Sequence, residues 1–283
     1  MEWNRYNADS DTKGRNDVKT KGKTLLTLML VGVCMVGCGS NQVRSDRQSM
    51  KLEELGEIAV CIREEGSGTR QTFAEIVVDS ENISTKCYEA DGNDEVVEFV
   101  NENKNAIGYI SKETSLAGQG CHVVAMDEKI TRPLNFVYSG AASDVEKDFL
   151  RYVQSAEKKK EDSFLSDRSK GNIKIGGSSS MADRIQEYAD AYMKLNPNAA
   201  IAVVTTDSGQ GINGALDGTY DIGMVSRKLT DYENELLETN KVTDDEIVMI
   251  VNQENPIKYL KKEELVDIYS GKITAWESLK GGK

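Results

Sequence analysis

The chain has 283 residues, a net charge of −12, 39% hydrophobic residues and only 6% aromatic ones. That length holds one or two domains with real cores, and the acidic balance argues against a nucleic-acid surface, which needs clustered Lys and Arg. A small-anion site stays open, because a few aimed N–H groups outweigh distant, screened carboxylates.

The chain opens with a targeting segment. Lys19, Lys21 and Lys23 precede the apolar run from Leu25 to Val36, which ends at Met35-Val36-Gly37-Cys38. A membrane span needs roughly 20 apolar residues, so the run has the length of a signal-peptide core instead. Small residues before Cys38, followed by Gly39-Ser40-Asn41-Gln42, resemble the lipobox of bacterial lipoproteins, with Met35 where Leu is usual. The resemblance implies cleavage before Cys38, a lipid on its sulfur, and a protein held to the cell membrane outside the cytoplasm. Among the other cysteines, Cys34 leaves with the signal peptide. Cys61, Cys87 and Cys121 show no metal spacing. Cys61 sits in an apolar pattern and reads as core, while a Cys87–Cys121 disulfide stays open. The single histidine, His122, argues against a Ser-His pair or a multi-His metal site.

Residues 39–55 are polar and read as a tether. From Ile58 onward short apolar strands alternate with amphipathic helices, the pattern of an α/β sheet. Ile58 to Ile62 is a strand, followed by the turn Gly66-Ser67-Gly68-Thr69 and a helix through Phe73 and Ile76. A helix over Glu95 to Asn101 leads to a strand at Ala106 to Ile110, and another short strand covers Asn135 to Tyr138. Val145, Phe149, Tyr152 and Val153 mark one helix face. Residues 156–172 are charged and poorly periodic, and read as a linker. Ile173 to Ile175 is a strand that turns through Gly176-Gly177-Ser178-Ser179-Ser180 into a helix carrying Ile185, Tyr188, Ala189 and Tyr192. Further strands cover Ala200 to Thr205 and Asp221 to Val225. The apolar run Glu246 to Val251 reads as a buried strand.

Three of the turns share one chemistry: Arg63 to Thr69, Gly177 to Ser180, and Asp207-Ser208-Gly209-Gln210-Gly211. Each puts Ser, Thr or Gly where a helix begins, where the first N–H groups lack internal partners and the positive dipole end points outward. Hydroxyls add donors, and Gly lets the backbone approach an oxyanion. Any one such turn also reads as an ordinary cap, and Ser180 with Asp183 fits a capping box. Three turns, with Arg63 and Arg227 close in sequence, favour a shared site at the carboxyl ends of the strands. Gly209-x-Gly211-x-x-Gly214 matches a dinucleotide fingerprint, but the acid expected at the end of the next strand is replaced by Ser226-Arg227. The first turn lacks the Lys of a P-loop.

Taken together, the motifs resemble the phosphate-binding proteins of bacterial ABC transporters. Gly177-Ser178-Ser179-Ser180, Asp207-Ser208-Gly209-x-Gly211 and Asp221 through Arg227 resemble that family's first-lobe loops. Val251-Asn252 and Gly271-Lys272-Ile273-Thr274-x-Trp276 resemble its hinge strand and the element that follows. Arg63 through Thr69, Ala106-Ile107-Gly108-Tyr109 and Arg132-Pro133-Leu134 resemble later elements. The resemblance implies an α/β fold of two lobes, each with a mixed sheet and flanking helices. It further implies an inorganic phosphate or similar oxyanion bound by Ser179, Ser180, Ser208, Arg63, Ser67, Gly68 and Thr69, with Arg227 nearby. Glu65 falls where an acidic acceptor would take a hydrogen bond from a protonated phosphate and repel fully ionised sulfate.

The halves stand in reversed order relative to that family, which puts the Gly-Ser-Ser half first. A circular permutation joined through 156–172 accounts for this; a fragment of a tandem receptor and strand exchange between chains are the rivals. The expected division is a signal segment 1–38, a tether 39–55, one lobe from 56–118 plus 241–283, and the other from 119–240. The function implied is capture of phosphate by lobe closure for a transporter permease, with no catalysis, cofactor, metal or nucleic acid. A surface sensor or adhesion module binding another oxyanion is the alternative.

Overall fold

The computed structural model describes residues 50–158 and 169–279. The targeting segment, Cys38, most of the expected tether and the middle of the expected linker lie outside the described residues. The tether ends earlier than expected, because Leu52–Leu55 form a short helix, α1, that buries Leu55 against the core. Strand β1 (Ala59–Arg63) and helix α2 (Gly68–Ile76) follow, then β2 (Tyr88–Ala90), α3 (Asn93–Glu102), β3 (Ala106–Ser111) and β4 (Cys121–Met126). Strand β5 (Ile130–Tyr138) begins earlier than the sequence suggests, and α4 (Asp144–Glu157) carries the apolar face expected of it. Beyond the linker come β6 (Gly171–Ser178), α5 (Ser179–Leu195), β7 (Ala199–Thr206), α6 (Ser208–Asp217), β8 (Ile222–Val225) and α7 (Asp231–Leu236). The long strand β9 (Glu238–Asn252), the short β10 (Tyr259–Leu260) and α8 (Lys262–Tyr269) complete the described chain.

The strands form one mixed sheet in the order β2-β1-β3-β9-β5-β8-β6-β7, with β4 paired to β9 and β10 to β4. β1 runs parallel to β2 and β3, and β6 runs parallel to β7 and β8. Between these parallel sets, β5 and β9 run antiparallel to each other from Ile130↔Ile247 to Tyr138↔Glu238. Those two strands pass from one half of the molecule into the other. Ile130 and Ile247 belong to a core with Phe73, Tyr109, Leu265 and Trp276, whereas Leu134, Phe136 and Val242 belong to a second core with Phe149, Ile185 and Tyr192.

Each half is covered on both faces, as period-two alternation requires of a buried strand. Val60 and Ile62 face the first core while Cys61 faces a smaller cluster with Val96, Val100 and Ile110 on the opposite side. In the other half Phe136 and Met224 face one layer, and Val137 and Val225 face Ile212 and Leu237. Val124 and Ile130 pack into the first core, although the sequence-based division assigns 119–130 to the other half. The reason is pairing: β4 lies against residues 249–252 of β9 and so stays with the first core. Cys61, Cys87 and Cys121 are free thiols. Cys87 packs against the first core and Cys121 against the cluster on the other face, so no Cys87–Cys121 disulfide forms. No helix among the described residues is long and apolar enough to cross a membrane.

Candidate functional site

Each of the three candidate turns leaves the carboxyl end of a parallel strand and starts a helix. Ser67 caps α2 and accepts from Arg70 N at 3.3 Å. Ser178 caps α5 and accepts from Ser180 N at 3.3 Å, and Asp207 caps α6 and accepts from Gln210 N at 2.8 Å. Ser180 is therefore not the cap that its spacing to Asp183 suggests. Its hydroxyl is left for other partners.

The turns come together within one chain. Gly209 N donates to Gly66 O at 3.1 Å, and the Thr69 and Ser180 hydroxyls lie 3.2 Å apart. A Cβ on Gly68 would overlap Ser208 Oγ, so only glycine lets these two turns approach so closely. Ser208 Oγ and Ser226 Oγ lie 3.3 Å apart, and Ser178 Oγ donates to Ser226 Oγ at 2.8 Å. Assembly in a single chain removes the need for strand exchange.

Two guanidinium groups enter this cluster, and Arg63 and Arg132 are only 1% and 2% exposed. Arg63, at the end of β1, donates through Nε and Nη2 to Glu64, both at 2.7 Å, through Nη2 to Ser179 Oγ at 3.0 Å, and through Nη1 to Asn93 Oδ1 at 2.8 Å. Its reach to Thr69 Oγ1 is long, 3.5 Å. Arg132, on β5, donates through Nε and Nη2 to Asp245 Oδ2 at 3.0 and 2.8 Å, to Thr69 Oγ1 at 2.6 Å and to Ser180 Oγ at 2.9 Å. Burial pulls the Arg132 pKa down, and Asp245, directly opposite on β9, opposes that shift. Each buried cation is thus matched by one carboxylate, as burial of charge demands. The other oxygen of Asp245, Oδ1, is buried with no hydrogen-bond partner among the described residues.

Six of the residues expected at the site, Arg63, Gly68, Thr69, Ser179, Ser180 and Ser208, are drawn to this cluster by the contacts above, and Ser67 is buried next to Gly68 as the cap of α2. The structure does not bring in the other two. Glu65 is exposed and, among the described residues, makes no hydrogen bond into the cluster. Arg227 is buried but turned away: its guanidinium donates to Glu233 at 2.7 and 2.8 Å and to Lys228 O, and this bonding holds the Glu233 carboxyl below its ordinary range. Arg132, Asp245, Asn93, Ser178 and Ser226 were not among the expected site residues. A signal existed for the first two. In Ile130-x-Arg132-x-Leu134 and Asp245-x-Ile247-x-Met249, a charge occupies a position that alternation assigns to the interior, and strand pairing puts Arg132 opposite Asp245.

The arrangement gathers the donor types that suit an oxyanion: two guanidinium groups and several hydroxyls meet near helix N-termini in a largely buried cluster. The family profile described as a PBP superfamily domain matches residues 163–283. The phosphate-binding protein PstS 2 of Streptococcus pneumoniae is 31% identical over 295 residues, covering 92% of this chain and 100% of that protein. PstS 2 of Streptococcus agalactiae is 28% identical over 286 residues, covering 89% of this chain and 94% of its own length. Among solved structures, a phosphate ABC transporter phosphate-binding protein from S. pneumoniae TIGR4 matches with a TM-score of 0.60 and 29% identity, covering 80% of this chain and 100% of that one.

Proposed function

The chain belongs to the PstS family of phosphate-binding proteins, and on that premise we propose that it captures inorganic phosphate outside the cytoplasm by closing its two lobes, and presents it to an ABC-transporter permease. The lipid on Cys38 would hold it at the membrane. The observation that carries this reading is the convergence of Arg63, Thr69, Ser180 and Ser208 from separate helix starts and strand ends into one buried polar cluster. Nothing in such a site makes or breaks a bond; it dehydrates and counts charges.

Arg63 is the direct cationic partner in this reading. One Nη1 hydrogen is held only by the 3.5 Å contact to Thr69, so it is the donor most easily turned to a guest. Asp245 takes over the selective role that the sequence suggests for Glu65. Its free Oδ1 is an acceptor among donors, which suits an anion that still carries a proton and disfavours fully ionised sulfate. Titration calorimetry of the full chain against phosphate, sulfate and molybdate tests the reading. One-to-one phosphate binding is expected. Arg63→Ala should weaken it by roughly 100-fold or more, with the melting transition still cooperative. Phosphate affinity unchanged by Arg63→Ala would overturn the site.

A further inference from the structure

We infer that Arg132 is a positioning residue that turns the Thr69–Ser180 hydroxyl pair into a donor toward the bound anion without touching the anion itself. The inference rests on the oxyanion reading above. A guanidinium has five N–H donors, and every one of those on Arg132 is committed within the protein. Nε faces Asp245 Oδ2; Nη1 serves Thr69 Oγ1 at 2.6 Å and Ser226, through O at 3.1 Å and Oγ at 3.2 Å; Nη2 serves Ser180 Oγ at 2.9 Å and Asp245 Oδ2 at 2.8 Å. No donor is left over for a guest.

The consequence falls on the hydroxyls. Each has one proton and two acceptor positions. Ser180 Oγ accepts from Arg132 Nη2 and from Asn93 Nδ2 at 3.1 Å, so both its acceptor positions are filled. Thr69 Oγ1 accepts from Arg132 Nη1, and its other position is contested by Arg63 at 3.5 Å and by the Ser180 hydroxyl at 3.2 Å. Whichever of these prevails, the Thr69 proton has no place on Ser180 and remains free. Among the described residues neither hydroxyl donates to any acceptor outside this pair. The acceptor oxygens of an anion complete the set. Arg132 can address both hydroxyls because β5 crosses between the cores, with Thr69 beginning a helix in one half and Ser180 a helix in the other. Asp245, 1% exposed in its side chain, fixes the guanidinium in that orientation.

A double-mutant cycle read by phosphate calorimetry separates positioning from bulk structural support. Arg132→Gln should lower phosphate affinity about 10- to 100-fold, the range for losing hydrogen bonds to a charged group. On a Thr69→Val/Ser180→Ala background the same substitution should cost less than about threefold, because the groups it acts through are gone. An equal loss on both backgrounds, or no loss on the first, overturns the inference. Should Arg132→Gln fail to fold, the cycle is run on Arg132→Gln/Asp245→Asn measured against Asp245→Asn alone, with the same outcomes. If the unsubstituted protein binds no phosphate but binds arsenate, sulfate or molybdate, the phosphate reading fails and the cycle proceeds with that anion. Binding none of the four overturns both.

Discussion

Asp245 shows how much a single atom decides at this site. Its Oδ2 receives two bonds from Arg132, and its Oδ1 is buried with none. A buried acceptor left unpaired costs about 1–3 kcal/mol, a cost that a guest supplying the donor would offset. In the proposed function a protonated phosphate would supply that donor, and sulfate at neutral pH would meet a bare carboxylate instead. Asp245→Asn replaces the repelling oxygen with an amide that can donate. We expect the ratio of phosphate to sulfate affinity to fall by roughly tenfold or more, measured by parallel titrations. An unchanged ratio in a folded Asp245→Asn protein would remove Asp245 from the selectivity account. Cys61 illustrates the contrary case at the same scale: burial pushes its thiol up to about 12, which marks an inert core residue.

Among the elements, the helix starts govern the site, and their precision comes from glycines where backbones nearly touch. On α6, a Cβ at Gly211 would sit 2.6 Å from Met224 O of β8 and 3.1 Å from Gly177 Cα. Helix and sheet therefore pack backbone to backbone, and Ser208, one turn earlier, is set by that contact. Gly211→Ala would push α6 outward, against a backbone carbonyl that has no rotamer to adopt. Overpacking of this kind costs about 1–3 kcal/mol, seen as a lowered urea midpoint, and phosphate affinity should fall with it. Stability and affinity both at the unsubstituted values would show that α6 does not set Ser208. The elements that carry these starts were legible in sequence, since each shows an apolar strand, a Gly- or Ser-rich turn and a helical stripe. Strand β5 was less so: Pro133 and a register shift at Leu134/Asn135 break its alternation, and its first half was missed.

In the whole molecule, the two cores are joined by β5 and β9 and by side-chain contacts between the halves. One of these lines a groove that includes Ser179 and Ser180. There Arg184 of α5 donates to Glu157 of its own half at 2.8 Å and to Glu113, which follows β3 in the other half, at 2.5 Å. With Glu113 49% exposed in its side chain, the pair is worth at most about 1 kcal/mol. In the proposed closure mechanism it acts only once the lobes have met, so it bears on release more than capture. Glu113→Gln should raise the phosphate dissociation rate roughly two- to fivefold in stopped-flow displacement, with association little altered. An unaltered dissociation rate would show that the pair does not hold the lobes together. At the same scale, Ile58 N donates to Thr274 O at 2.8 Å and Trp276 N to Gly56 O at 3.1 Å. The segment that precedes β1 thus lies against the segment that follows α8.

The amino-acid sequence by itself determined the local chemistry: which segments form strands and helices, which faces are apolar, and that Arg63 at a strand end and Ser67, Gly68, Thr69, Ser179, Ser180 and Ser208 at helix starts carry the donor types an oxyanion site uses. Those properties depend on neighbours three or four positions away, so a linear reading recovers them. Tertiary structure alone decided which charges enter the site. Arg227 and Glu65 lie beside the motifs in sequence, yet one is drawn to Glu233 and the other to solvent. Arg132 and Asp245 lie 113 positions apart and meet because the β5/β9 register puts them opposite each other, where burial compels a cation and a carboxylate to pair.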